Sequence, residues 1–162
     1  MKHILCLLAL LPTPLLAQSL SPEAGEIETC LSLSETIEDA RIACSALSVN
    51  PCLDSTEGAT TVGMVGCFAK AEGHWDELRV IVLDRLDAEA QERDAYYKSL
   101  GEDGFAESAA SLATSETTWA AWRDAECISR ADDNGNGSMR RIVAAACRLD
   151  LMRERVLSLW FR

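Results

Sequence analysis

The stretch SMRRIVAAACRLDLMRERVLSLW, Ser138–Trp160, sets Ile142, Val143, Ala146, Leu149, Met152, Val156 and Leu159 mostly three or four residues apart. That is the period of an α-helix with one broad apolar face. A half-buried strand would alternate in steps of two, and this stretch does not. Ser138 is a suitable cap, because a hydroxyl at a helix start accepts a first-turn N–H. The stretch therefore predicts a helix over 139–160. Before it, Asp132-Asp133-Asn134-Gly135-Asn136-Gly137 has the composition of a loop. Before the loop, Phe105 to Ser129 predicts a second helix carrying Leu112, Trp119, Trp122 and Ile128. Two helices joined by so short a loop are antiparallel neighbours.

The same period extends upstream. Thr60 or Thr61 caps a long helix carrying Val62, Val65, Ala69, Leu78, Ile81 (or Val82), Leu86, Ala90 and Tyr97. Gly63, Gly66 and Gly73 each weaken its first half by about 1 kcal/mol relative to Ala, so packing and Cys67 must hold that part. Gly101 through Gly104 ends it. Asn50-Pro51-Cys52-Leu53-Asp54 reads as a turn. Ser34 caps a helix over 35–47. Ser21-Pro22-Glu23 opens another that runs to about Leu33, with a cap, a first-turn proline and an acid at the positive dipole end. No run of alternating β-branched residues competes. The fold class expected is all-α, a disulfide-stapled bundle of antiparallel helices.

The first residues, MKHILCLLALLPTPLLA, combine Lys2, an apolar run from Ile4 to Leu11, two prolines and a small residue at Ala17. This predicts a signal peptide over 1–17, removed after Ala17. The apolar run is too short to cross about 30 Å of hydrocarbon. The division expected is a signal peptide over 1–17, an N-terminal helical hairpin over 18–50 and a helical domain over 51–162. The destination is periplasmic or secreted.

Export places the chain in an oxidising compartment, where disulfides are the default. Setting aside Cys6 leaves Cys30, Cys44, Cys52, Cys67, Cys127 and Cys147. Six cysteines allow 15 pairings, and spacing does not choose among them. Sequential pairing is favoured because each bridge would join neighbouring helical segments. Its loops of about 14 to 20 residues would each stabilise by roughly 3 kcal/mol in the loop-entropy model. The absence of Cys-x-x-Cys, with no His beside the cysteines, argues against zinc.

The 162 residues suit one domain. Lys plus Arg is 15 against 26 Asp plus Glu, a net charge of −11; without Lys2 it is 14 against 26, or −12. Such a surface argues against nucleic acid, whose phosphates need Lys and Arg, and against anionic lipid once the signal is cleaved. It favours a basic protein partner.

Catalytic and metal chemistry find little support. His74 is the one mature histidine, and no nucleophile is paired with it, so it reads as a partly exposed ordinary residue. Asp132-x-Asn134-x-Asn136-Gly137 matches the first half of a calcium loop, but the twelfth position is Val143 rather than Glu, and Arg140 and Arg141 bring positive charge. A tight inter-helix loop is the better reading. With 26 acids, a carboxylate pair carries no signal for glycosidase chemistry. Glu92-Arg93-Asp94 and Arg153-Glu154-Arg155 read as solvated helix faces. No enzyme, metal or cofactor is expected.

One constellation is more specific. It comprises Trp119-Ala120-Ala121-Trp122-Arg123-Asp124-Ala125-Glu126-Cys127, then Gly137-Ser138, then Cys147, with Arg155 eight residues on. It resembles the LprI-type lysozyme inhibitors, small exported helical proteins of bacteria. Cys52 and Cys67, followed by Trp75-Asp76, resemble that family's first cysteine pair and its acidic helix. The resemblance covers about Cys52 to the end. It implies Cys52–Cys67 and Cys127–Cys147 bridges, which leaves Cys30 with Cys44. The chain departs from the pattern at Arg79-Val80 and Leu83, at Glu116 where Gln is common, and at Met152 where Thr is common. Arg123, beside two Trp, reads first as structural: its guanidinium can stack on an indole and reach a carboxylate.

The resemblance implies a lysozyme inhibitor, and the acidic charge favours a basic lysozyme that it binds and occludes; the turn at Asp132, Asp133, Asn134 and Asn136 is the candidate contact because it is exposed, polar and held by the Cys127–Cys147 staple. The alternative is an envelope interaction module, or a self-protection factor against a toxin, without lysozyme activity.

Overall fold

Among the described residues there are six helices: α1 (Pro22–Leu33), α2 (Ile37–Cys44), α3 (Asn50–Leu53), α4 (Thr61–Ser99), α5 (Ser108–Asp132) and α6 (Ser138–Trp160). The structure is a computed structural model that describes residues 20–101 and 107–162. Among these residues there is no strand. The proposed signal peptide lies outside them, as do Phe105 and most of the Gly101–Gly104 stop.

α4 and α6 form the spine, α5 lies against both, and α1 and α2 close the far side on α4 and α6. Side-chain pairs fix the directions. Glu72, Arg79 and Asp94 of α4 meet Arg123, Glu116 and Ser108 of α5, so numbers rise on one helix as they fall on the other. Glu116 and Cys127 of α5 meet Arg155 and Cys147 of α6 in the same sense. Successive long helices are therefore antiparallel, and α4 runs parallel to α6.

The core gathers Trp75 and Leu78 of α4, Leu149, Met152, Val156 and Leu157 of α6, Ile27 and Leu31 of α1, and Ala40 and Cys44 of α2. Each is almost fully withdrawn from water, which at ~25 cal/mol per Å² of apolar area is the main force holding the helices together. α1 and α2 thus supply part of the same core as the later helices. Three bridges lock this arrangement, in sequential order. Cys30–Cys44 ties α1 to α2, Cys52–Cys67 ties α3 to α4, and Cys127–Cys147 ties α5 to α6, with Cα separations of 5.8, 5.6 and 5.5 Å.

Several local expectations are corrected. α2 starts at Ile37 under Thr36, whose hydroxyl accepts from Asp39 N at 3.1 Å. Ser34 does not cap it, because Ser34 ends α1 and its hydroxyl donates to Cys30 O at 2.9 Å. The expected turn at Asn50–Leu53 is a single helical turn. Thr60 caps α4, through Gly63 N at 3.0 Å. Gly137 stands at the N-cap of α6 with no side-chain bond, and Ser138 is already helical. Val62 and Ala69 face solvent, because the inward row of α4 runs Cys67, Ala71, Trp75, Leu78, Val82. Trp122 and Ile128 are also exposed. Neighbours cover α5 on one side only, the side of Leu112, Glu116, Trp119, Arg123, Cys127 and Ala131.

Gly63 proves to be a requirement rather than a weakness. A Cβ there would overlap the Glu57 carbonyl oxygen, whereas one at Gly66 or Gly73 would meet nothing within 4 Å. Gly63→Ala should therefore cost about 1–3 kcal/mol through backbone displacement. Gly73→Ala should stabilise by up to about 1 kcal/mol. Thermal melts followed by circular dichroism should shift in opposite directions for the two variants.

α5 begins without a cap of its own, and Asp94 of α4 serves instead. Its carboxylate accepts from Ser108 N at 2.9 Å and Ala109 N at 3.1 Å. The backbone N–H groups of Ala109 and Ser108 hold the Asp94 carboxyl below the usual carboxylate range. A depressed pKa contributes stability that is present above the unfolded value of ~3.9 and is lost as pH falls through the lower folded value. Amides 108–111 should thus be protected from hydrogen exchange at neutral pH and lose that protection at acid pH. In Asp94→Asn the acid step should be absent.

Candidate functional site

The residues that marked the resemblance meet where α4, α5 and α6 adjoin. Trp119 of α5 is half-buried, and two guanidinium groups lie over its indole, Arg123 with Cζ 5.2 Å and Arg155 with Cζ 5.7 Å from the ring centroid. Arg123 reaches Glu72 of α4 at 3.3 Å and Asp124 at 2.9 Å. Arg155 donates through Nε to Glu116 Oε1 at 2.8 Å and through Nη2 to Ser115 at 3.1 Å. The other Glu116 oxygen accepts from Arg79 at 3.3 Å, and Arg79 Nε donates to Asp76 at 2.7 Å. Arg79, Glu116, Arg123 and Arg155 keep between 13 and 22% of their side-chain surface. At such sites a cation over an indole and a charge-assisted hydrogen bond both gain from reduced solvation.

A cleft of about 320 Å³ opens between Glu72, Asp76, Arg79, Trp119 and Arg123. Burial pushes the Glu72 carboxyl up, against the pull of Arg123 and then Arg148. Three arginines stand against Glu72, Asp76 and Glu116, so the cluster is internally matched. Chemically it ties three helices together. Among the described residues, no three His, Cys, Asp or Glu side chains are placed to hold a metal ion.

The structure brings Trp119, Arg123 and Arg155 together and leaves other motif residues apart. Trp122 is 49% exposed, outside the cluster. Asp124 is an exposed partner of Arg123. Gly137 and Ser138 lie at the start of α6. Arg153 and Arg155 are not solvated as expected; both are largely buried, and only Glu154 between them is exposed, paired with Arg41 at 2.8 Å. Arg79 joins the cluster without having been an expected site residue. Its one sequence signal is a departure from the pattern, shared with Glu116, and the structure pairs the two at 3.3 Å. His74 is buried rather than partly exposed, because it lies beside Trp75 on the inward side of α4; its Nδ1 has no hydrogen-bond partner among the described residues.

The Asp132–Asn136 turn projects from the α5–α6 end and is exposed throughout. Asp132 pairs with Arg140 at 2.5 Å, Asn134 Nδ2 donates to Arg130 O at 3.3 Å, and Gly135 takes a φ of +59°. Arg140 therefore occupies the carboxylate that a calcium loop would offer.

Residues 52–159 match the family described as lysozyme inhibitor LprI. The chain belongs to the LprI family. The matched segment contains two of the three bridges and the entire arginine–tryptophan cluster, while α1 and α2 precede it. Among curated proteins, the chain is similar to an uncharacterized 17.7 kDa protein in the puhA 5′ region of Rhodobacter capsulatus. The two are 24% identical over 153 residues, which cover 92% of this chain and 94% of that protein. No solved structure matches the chain. Among the described residues, no helix of this LprI member is long and apolar enough to cross a membrane.

Proposed function

We propose that this LprI member is exported to the periplasm or beyond, and there binds a basic lysozyme and covers its substrate cleft. The family match over residues 52–159 carries the reading. The net charge of −11 supports a basic partner, because opposite potentials steer encounter and raise the association rate. The matched arginine–tryptophan cluster spends its polar groups within the fold, so binding falls to exposed surface. The Asp132–Asn136 turn is one such element, with Asp133 and Asn136 free of side-chain partners among the described residues.

An inhibition panel of muramidases of differing charge tests this. The purified protein should slow basic lysozymes at micromolar levels in low salt, and should lose potency as salt shortens the Debye length to about 8 Å. Inhibition absent across the panel at low salt would contradict it. Pull-down from periplasm separates it from the alternative envelope module, which would retain a protein other than a muramidase.

A further inference from the structure

α1 and α2 leave an open groove of about 780 Å³ between them, lined by Cys30 of the Cys30–Cys44 bridge and by Glu26, Leu33, Glu35, Asp39 and Leu47. Leu33 is 80% exposed and Leu47 38%, and Ile42 on α2 is 74% exposed. The hairpin already commits Ile27, Leu31, Ala40 and Cys44 to the core. The outward apolar residues are therefore surplus to folding, and such a patch with a polar rim marks an interaction surface.

The polar lining is selective. Thr29 and Ser34 both spend their hydroxyls on helix carbonyls, of Gly25 and Cys30, at 2.9 Å. That leaves three carboxylates. Among the described residues none of Glu26, Glu35 and Asp39 has a Lys or Arg within 4.0 Å; Asp39 accepts only from Thr36, at 2.7 Å. The contrast with the inter-helix cluster, where each of the three arginines has its acid, is direct.

We infer that this groove is the principal attachment point for the basic partner, taking an apolar side chain between Leu33 and Leu47 with flanking Lys or Arg on Glu26, Glu35 and Asp39. The inference rests on the lysozyme-inhibitor reading and adds where the partner is held. A second copy fits poorly, since a chain of −11 would bring a carboxylate rim against an identical one. The bridge holds the groove open before binding, which reduces the ordering cost of association. The apolar anchor governs dissociation, and the carboxylates govern encounter. Attachment then lies on α1 and α2, ahead of the segment that identifies the family.

The test is affinity of the full oxidised protein for a strongly basic muramidase, by calorimetry at low and high salt. Leu33→Ala with Leu47→Ala should weaken binding about tenfold or more at both salts. Glu26→Gln with Glu35→Gln should weaken it about tenfold at low salt and progressively less as salt rises. Melting temperatures should hold, since these side chains are exposed. Asp133→Ala with Asn134→Ala in the α5–α6 turn should change affinity by less than about threefold. Groove variants that bind normally while the turn variant fails would overturn the inference and leave the inhibitor reading standing. Groove variants that abolish self-association without altering muramidase binding would overturn it in favour of a second copy. An unaltered protein that does not bind would overturn both.

Discussion

Full reduction of Cys30–Cys44, Cys52–Cys67 and Cys127–Cys147 should unfold the protein at ambient temperature. The bridges enclose separations of 14, 15 and 20 residues, so each removes roughly 3 kcal/mol of loop entropy from the unfolded chain. Together that is about 9 kcal/mol, against a total stability of about 5–15 kcal/mol for an ordinary domain. The helices cannot replace it. α2 has 8 residues and α3 has 4, far below the ~12–15 that an isolated helix needs in water. The first turns of α4 must also tolerate Gly66. Far-ultraviolet circular dichroism with and without reductant reads the outcome directly. The helical signal should collapse on reduction. An unchanged signal in the reduced protein would show that packing alone suffices.

The second large effect is expected at Glu116. Its carboxylate lies between Arg79 and Arg155. Removing one partner of a buried ion pair costs about 3–5 kcal/mol, because the remaining charge is left desolvated. These groups keep some contact with water, at 13 to 22% of their side-chain surface, so Glu116→Ala should cost about 2–3 kcal/mol. The Arg79 and Arg155 guanidinium groups would be left without the carboxylate between them. Glu116→Gln keeps an acceptor oxygen in place and should cost about 1 kcal/mol. Urea denaturation measures both values. The same variants bear on function. The cluster lies within the fold and away from the groove residues, so folded Glu116→Gln should inhibit a muramidase as the unaltered protein does.

How far the sequence reveals this depends on the range of the interaction. The long helices are legible because apolar residues repeat at helical spacing within one element, as Leu78, Leu86 and Ala90 do in α4 and Leu149, Met152 and Val156 in α6; that α4 also turns Cys67, Ala71 and Trp75 inward is not legible from that spacing. Thr60 and Ser21 cap the helices they precede, through bonds three residues away. Ser34 misleads because it can serve either the helix before it or the one after, and α1 takes it. Val62, Trp122 and Ile128 mislead because periodicity shows an apolar residue without showing whether a neighbour covers it. Asp94 cannot be singled out among 26 acids; its value comes from an α5 start 14 residues away. The Arg79–Glu116–Arg155 contact needs three helices at once, and Arg123 is legible only because Trp119 lies four residues before it on the same helix face. The groove between α1 and α2 is least legible of all. Leu33, Ile42 and Leu47 are apolar, and nothing in their spacing says that they face out, as the structure shows them to do.

The salt dependence of affinity for a strongly basic muramidase tests the central claim most directly. The oxidised protein should bind saturably, one to one, at low ionic strength. Affinity should fall steadily as salt rises and level off at a residue set by apolar contact. A chain of this charge that shows no saturable binding at low ionic strength, where attraction is strongest, would contradict the account.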